Sequence, residues 1–88
     1  MLNDEEIFGV IKKIISEQFN LDEKNISKEM NFYDDLSADS LDLFQIITEI
    51  EDEFEIEFDS DDAEKIKNIN DAIKYIKEKQ KQKVNTIM

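Results

Sequence analysis

Ser40 opens an amphipathic segment, in the run Asp39-Ser40-Leu41-Asp42. A helix start offers unpaired backbone N–H groups and the positive end of the helix dipole. A phosphate carried on the Ser40 hydroxyl would be electrostatically at home there. The same position also suits a plain helix cap. Nucleophilic catalysis by Ser40 would need an activating base. The chain has no His and no Cys, which removes the commonest base, the thiolate, disulfides and the commonest transition-metal ligands. Carboxylates are abundant, but no pair is set apart by spacing. So short a chain also offers little room for the concave site that paired-carboxylate catalysis uses. The acidic run from Asp59 to Asp62 is not a calcium loop of the EF-hand type. That loop needs Gly sixth and Glu twelfth, where this chain has Glu64 and Asn70. Gly9 is the sole glycine, so there is no glycine-rich phosphate loop. No metal site and no catalytic residue is expected.

Four helical segments must position Ser40. The first is predicted over about Asp4 to Phe19, with Asn3 and Glu6 as a capping box and Ile7, Val10, Ile11, Ile14 and Ile15 on one face. A long connection, Asn20 to Asp39, follows. Its scattered apolar residues, Leu21, Ile26, Met30, Phe32 and Leu36, would pin it across the helix ends. The second helix is predicted over Ser40 to Phe54 with Asp39 as N-cap, and a short third over Ser60 to Ile66. The fourth runs from Ile69 to Gln80 with Asn68 as cap, and turns Ile69, Ala72, Ile73 and Ile76 inward. The expected fold class is all-α, a small four-helix bundle of three longer helices and one short one. With 88 residues, one domain is expected over 1–80, and the Lys-rich tail 81–88 is expected to fray.

The second helix has more apolar residues than one core face can take. At about 100° per residue, Leu43, Ile46, Ile47, Ile50 and Phe54 form a single stripe. Leu41 and Phe44 fall on the opposite side, among Gln45, Thr48, Glu51 and Asp52, and are expected to be exposed. Lone exposed apolar residues are common. This pair, ringed by acids, also suits a docking spot for a basic groove.

The net charge is −12. Fifteen Asp and Glu lie between Glu29 and Glu64 with no Lys among them, and all eleven basic residues are Lys outside that window. Such a block repels nucleic acid and anionic lipid and favours basic protein surfaces. Its self-repulsion should make the fold firmer in salt. The N-terminus lacks a signal-peptide pattern and no apolar run is long enough to span a bilayer, so a cytoplasmic monomer without membrane contact is expected.

The stretch Asp34-Asp35-Leu36-Ser37-Ala38-Asp39-Ser40-Leu41-Asp42 resembles the attachment motif of acyl carrier proteins. Flanking blocks resemble the same family in order: Ile14 to Phe19, Phe32 to Leu36, Ile50 to Phe54, Ala63 to Ile66 and Asp71 to Ile76. The resemblance covers about residues 5 to 78. Asp-Ser-Leu alone is a weak motif; the combination is specific. It implies 4′-phosphopantetheine attached through Ser40, with Asp39 and Leu41 beside it, carrying acyl groups as thioesters. It also implies as partners a phosphopantetheinyl transferase (holo-acyl-carrier-protein synthase) and acyl-processing enzymes with basic docking surfaces. The docking residues would be Leu41, Asp42, Phe44, Gln45, Thr48, Glu51 and Asp52, together with Asp39. An acyl chain would shelter near Phe32, Leu43, Ile47, Phe58, Ala63 and Ile66, which are also ordinary core residues. The Ala38-Asp39-Ser40-Leu41 run and the free-standing length lean towards fatty acid biosynthesis. A polyketide or aminoacyl assembly pathway is the first alternative, and an unmodified acidic helical interaction module the second. The chain departs from the family's pattern at Ser37, where Gly is usual, and at Asp59, where Pro is frequent. Gln45 replaces a common Glu, and Phe44 is bulkier than the usual aliphatic residue.

Overall fold

The computed structural model describes the backbone of residues 2–86 and the side chains of residues 2–81. Four helices make the fold: α1 (Asp4–Phe19), α2 (Ser40–Phe54), α3 (Ser60–Lys65) and α4 (Ile69–Thr86). A one-turn 3-10 helix, Glu23–Asn25, interrupts the long connection. The observed class is all-α, as expected.

Each helix starts on the same local device. Asn3, Asp39, Asp59 and Asn68 accept the N–H three residues on, and the acid at that third position returns to the cap's own N–H. These reciprocal caps each contribute about 1 kcal/mol and place the acids where the helix dipole favours them. The helix ends are less orthodox. Asn20 and Glu55 close α1 and α2 in the left-handed conformation, at φ 56° and 55°, without a glycine. Asn tolerates that backbone; for Glu it carries a steric cost.

The core is nearly all isoleucine. Ile7, Ile11 and Ile15 of α1 meet Ile46 and Ile50 of α2 and Ile69, Ala72 and Ile76 of α4, all of them buried. Leu43, Ile47 and Phe54 complete the α2 stripe. Val10 is only half-buried, at the edge of the α1–α2 groove.

The connection is ordered by burial and by backbone pairing. Ile26, Phe32, Leu36 and Ala38 are buried, and Leu21 and Met30 pack half-buried against the core. Asn31 and Asn68 form an antiparallel bridge. Around it Phe32 N–H donates to Lys67 O (2.9 Å), Ile69 N–H to Met30 O (3.1 Å) and Asn70 N–H to Lys28 O (3.0 Å). The connection is thereby tied to the α3–α4 junction through its own backbone groups.

Two boundaries differ from expectation. Ile66 caps α3 instead of belonging to it. α4 runs to Thr86, past Gln80, because no Gly or Pro follows to stop it and Lys and Gln are good helix formers. Of the tail 81–88 expected to fray, residues 81–86 continue α4, and residues 87 and 88 lie outside the described residues.

Candidate functional site

The segment from Asn31 to Ser40 is a scaffold built from side-chain-to-backbone bonds. Asn31 Oδ1 accepts from Tyr33 N–H (2.8 Å) and Asp34 N–H (3.0 Å), and Asp35 Oδ2 accepts from Asn31 N–H (2.7 Å). Ala38 N–H donates to Phe32 O at 2.8 Å. Between them the chain reverses at Ser37, whose φ of 56° is left-handed. A residue without Cβ adopts that backbone at no steric cost, which is a physical reason for glycine to be usual at this position.

The turn delivers Ser40 to the first position of α2. Asp39 Oδ1 accepts from Asp42 N–H (2.9 Å), Asp42 Oδ2 accepts from Asp39 N–H (3.3 Å), and Leu43 N–H donates to Asp39 O (3.0 Å). That leaves Ser40 N–H, Leu41 N–H and the Ser40 hydroxyl without a hydrogen bond among the described residues. The hydroxyl is exposed, and two free amides sit at the positive helix end beside it. The donor chemistry suits a phosphodiester on Ser40. The Asp39 and Asp42 carboxylates oppose it only weakly. Like charges some 4 Å apart in water cost about 1 kcal/mol, which a covalent bond tolerates.

Leu41 and Phe44 are exposed, at 65% and 66%. Tyr33, at 47%, is the third large apolar side chain exposed among the described residues. All three cluster around Ser40. Tyr33, Ser40, Leu43, Phe44, Ile47, Ala63 and Glu64 line a cavity of about 150 Å³ between α2 and α3. Of the residues expected to shelter an acyl chain, Leu43, Ile47 and Ala63 line this cavity. Phe32 and Ile66 are fully buried in the core instead. Phe58 is half-buried, edge-on to Tyr75 with ring centroids 6.2 Å apart, and lines a separate recess with Glu51, Glu57, Asp59 and Lys79.

The residues expected to dock partners divide by flank. Thr48 is exposed, its hydroxyl donating to Phe44 O at 2.9 Å. Gln45 leans to α1, where its Oε1 accepts from Gln18 Nε2 at 2.6 Å. Asp52 joins Glu17, Glu49, Glu53 and Lys13 around a groove floored by Val10 and Ile14. Glu51 turns the other way, and its Oε2 accepts from Phe58 N–H at 2.8 Å, holding the α2–α3 loop. Asp39 and Asp42 are the cap of α2.

Nothing on α3 is buried. It is held by its cap, by half-buried Ala63 packed against the core and, among the described residues, by one ion pair, Asp62 Oδ2 with Lys79 Nζ of α4, at 3.2 Å. Partial burial pushes the Asp62 carboxyl up, but the Asp59 N–H and the Lys79 ammonium outweigh that and hold it below its ordinary value. Asp4 is also held low, chiefly by its hydrogen bond to Lys77 at 2.7 Å.

Tyr33 is the one residue of the apolar cluster around Ser40 that the sequence pattern does not mark. It lies in the turn that follows the Asn31 bridge, beside the buried Phe32, and no periodic pattern marks its exposure.

Comparison with known proteins gives a consistent result. Residues 9–76 match the family described as "Phosphopantetheine attachment site". An acyl carrier protein from Lactobacillus acidophilus is 47% identical over 79 residues, covering 90% of this chain and 99% of that one. One from Thermotoga maritima is 43% identical with coverage of 90% and 98%. The solved structure of an acyl carrier protein from Enterococcus faecalis superposes with a TM-score of 0.74 at 36% identity, covering 89% of this chain and 99% of that one.

Proposed function

The chain belongs to the acyl carrier proteins, and from that premise we propose that Ser40 bears the arm and that the face beside it meets the enzymes. The group such a protein bears, 4′-phosphopantetheine, supplies a flexible reach and a terminal thiol for thioester formation. This chain has no Cys, so it offers no thiol of its own. The observation that carries the assignment is the convergence at one helix start of an exposed, unpartnered hydroxyl, two free amides and every large exposed apolar side chain described.

The protein's own residues then divide the work. Asp39 fixes the helix start and Ser37 turns the chain into it. Ser40 and Leu41 N–H groups face the phosphate position. Leu41 and Phe44 give a partner an apolar anchor, and the acids around them attract a basic surface and speed encounter. Contact limited to so small a patch gives the fast, salt-sensitive exchange a carrier needs. The partners are a phosphopantetheinyl transferase and acyl-processing enzymes, and the pathway we assign is fatty acid biosynthesis, on the strength of the Ala38-Asp39-Ser40-Leu41 run. Among the described residues no helix is long and apolar enough to cross a membrane.

The test is the mass of the protein isolated from its host with thioesters preserved. A mass above that of the bare chain by one phosphopantetheine, plus a fatty acyl group in part of the sample, is expected. A population of bare chain only, or a cargo of aminoacyl or polyketide character, would contradict the carrier role or the pathway respectively.

A further inference from the structure

We propose that Tyr33 is a positioning residue for the arm, its ring forming with Phe44 an aromatic rim that holds the arm, from the geminal methyl groups beside the phosphate onward, against the cavity beside Ser40. The proposal rests on the assignment of the arm to Ser40 and goes beyond it.

Three observations lead there. First, Tyr33 and Phe44 line the same cavity as Ser40, yet both rings remain largely exposed. Rings of that size left in water at the mouth of an apolar cavity are available to cover something. Second, the backbone under Tyr33 is fixed. Its own N–H and that of Asp34 both bind the Asn31 side chain, and Phe32 next to it is fully buried. The ring is therefore presented from a rigid base, so little ordering is needed when it makes a contact. Third, apart from Ser40 and Glu64 the remaining wall of the cavity is apolar, made by Leu43, Ile47 and Ala63. A pantetheine segment mixes methyl groups with amides. The rings and the wall suit the first, and the Tyr33 hydroxyl can bond the second.

The consequence is partial shelter for the thiol end of the arm while no partner is bound. A partner that covers Phe44 takes away one side of the rim and frees the arm.

The absence of Cys makes the test clean, because the arm's thiol is the sole thiol in the loaded protein. Loaded protein is prepared with coenzyme A and a transferase, and intact mass checks the loading. Proton NMR then reads the geminal methyl groups of the arm, and an aromatic disulfide reagent reads thiol reactivity. In the loaded protein the methyl signals should lie upfield of those of free phosphopantetheine, from the ring currents. The thiol should react more slowly than the free one. Tyr33→Val should remove most of the upfield shift and speed the thiol reaction roughly two- to tenfold, the factor given by one lost aromatic contact. Tyr33→Phe should keep the shift. Tyr75→Phe, which touches a different recess, should change neither reading. Fully loaded protein whose methyl signals and thiol behave as in free phosphopantetheine would overturn the rim while leaving Ser40's assignment intact. Failure of Ser40 to load would overturn both.

Discussion

The two flanks of α2 are built to different standards. On the side of α1 and α4, Ile46 and Ile50 are fully buried against isoleucines of both helices, and Gln45 is bonded across to Gln18. On the side of α3, the neighbouring helix is six residues long and buries none of its own, and a cavity remains beside Ser40. Packing density decides which flank keeps its shape and which can give way, since a buried side chain with neighbours on all sides resists displacement and one with a void does not. The stability of the domain resides on the first flank. Ser40, the proposed attachment point, and the cavity beside it lie on the second.

That contrast can be broken most forcefully from the closed side. Ile50→Ala should cost about 2–4 kcal/mol, because the site has no room to collapse. Chemical denaturation would show the loss; a cost below about 1 kcal/mol would mean that α2 is loosely packed on both flanks. Phe44→Glu on the open side should leave stability within about 0.5 kcal/mol and instead weaken transfer to partner enzymes. Circular dichroism and a transfer assay on one sample separate the two effects, and unfolding would show that Phe44 serves the core.

Smaller effects sharpen the same comparison. Ser37→Gly should stabilise by about 1 kcal/mol, relieving a left-handed residue in the turn that delivers Ser40. Thermal melting of the variant checks it, and no gain would mean that the turn is not strained. Lys79→Gln should cost only about 0.5 kcal/mol overall, while amide exchange in α3 speeds more than in α1. The pH dependence follows from the lowered Asp62. Its ion pair contributes fully above the ordinary carboxylate value of 3.8 and fades as pH falls through the lower folded value. Wild type and Lys79→Gln should therefore converge in stability on acidification below about pH 4.

Much of this was legible in the residues, and for identifiable reasons. Strong period and paired caps fixed α1 and α2 to the residue, even though neither ends on Gly. The opposed apolar pair Leu41 and Phe44 announced its own exposure, because one helix cannot bury two sides in so small a bundle. The 3-10 turn at Glu23–Asn25 is too short for periodicity to reveal, although Asp22 accepting from Lys24 N–H marks it. The cavity was half legible. Leu43, Ile47 and Ala63 follow from helix faces. The inward placement of Phe32 and Ile66, and the rim position of Tyr33, depend on how the connection crosses the α3–α4 junction, which no local pattern encodes. The roles of Gln45 and Glu51 in holding α1 and the α2–α3 loop are likewise tertiary facts.

The central claim is that Ser40, and not another hydroxyl, receives the arm. Ser16, Ser27, Ser37 and Ser60 are the other serines of the chain. The direct measurement is intact mass after incubation with coenzyme A and a phosphopantetheinyl transferase, followed by fragmentation of the peptide spanning 31–50. The account predicts a gain of one phosphopantetheine, located on Ser40 and lost in Ser40→Ala. No gain under conditions that load a control carrier, or a gain that persists in Ser40→Ala, would contradict it.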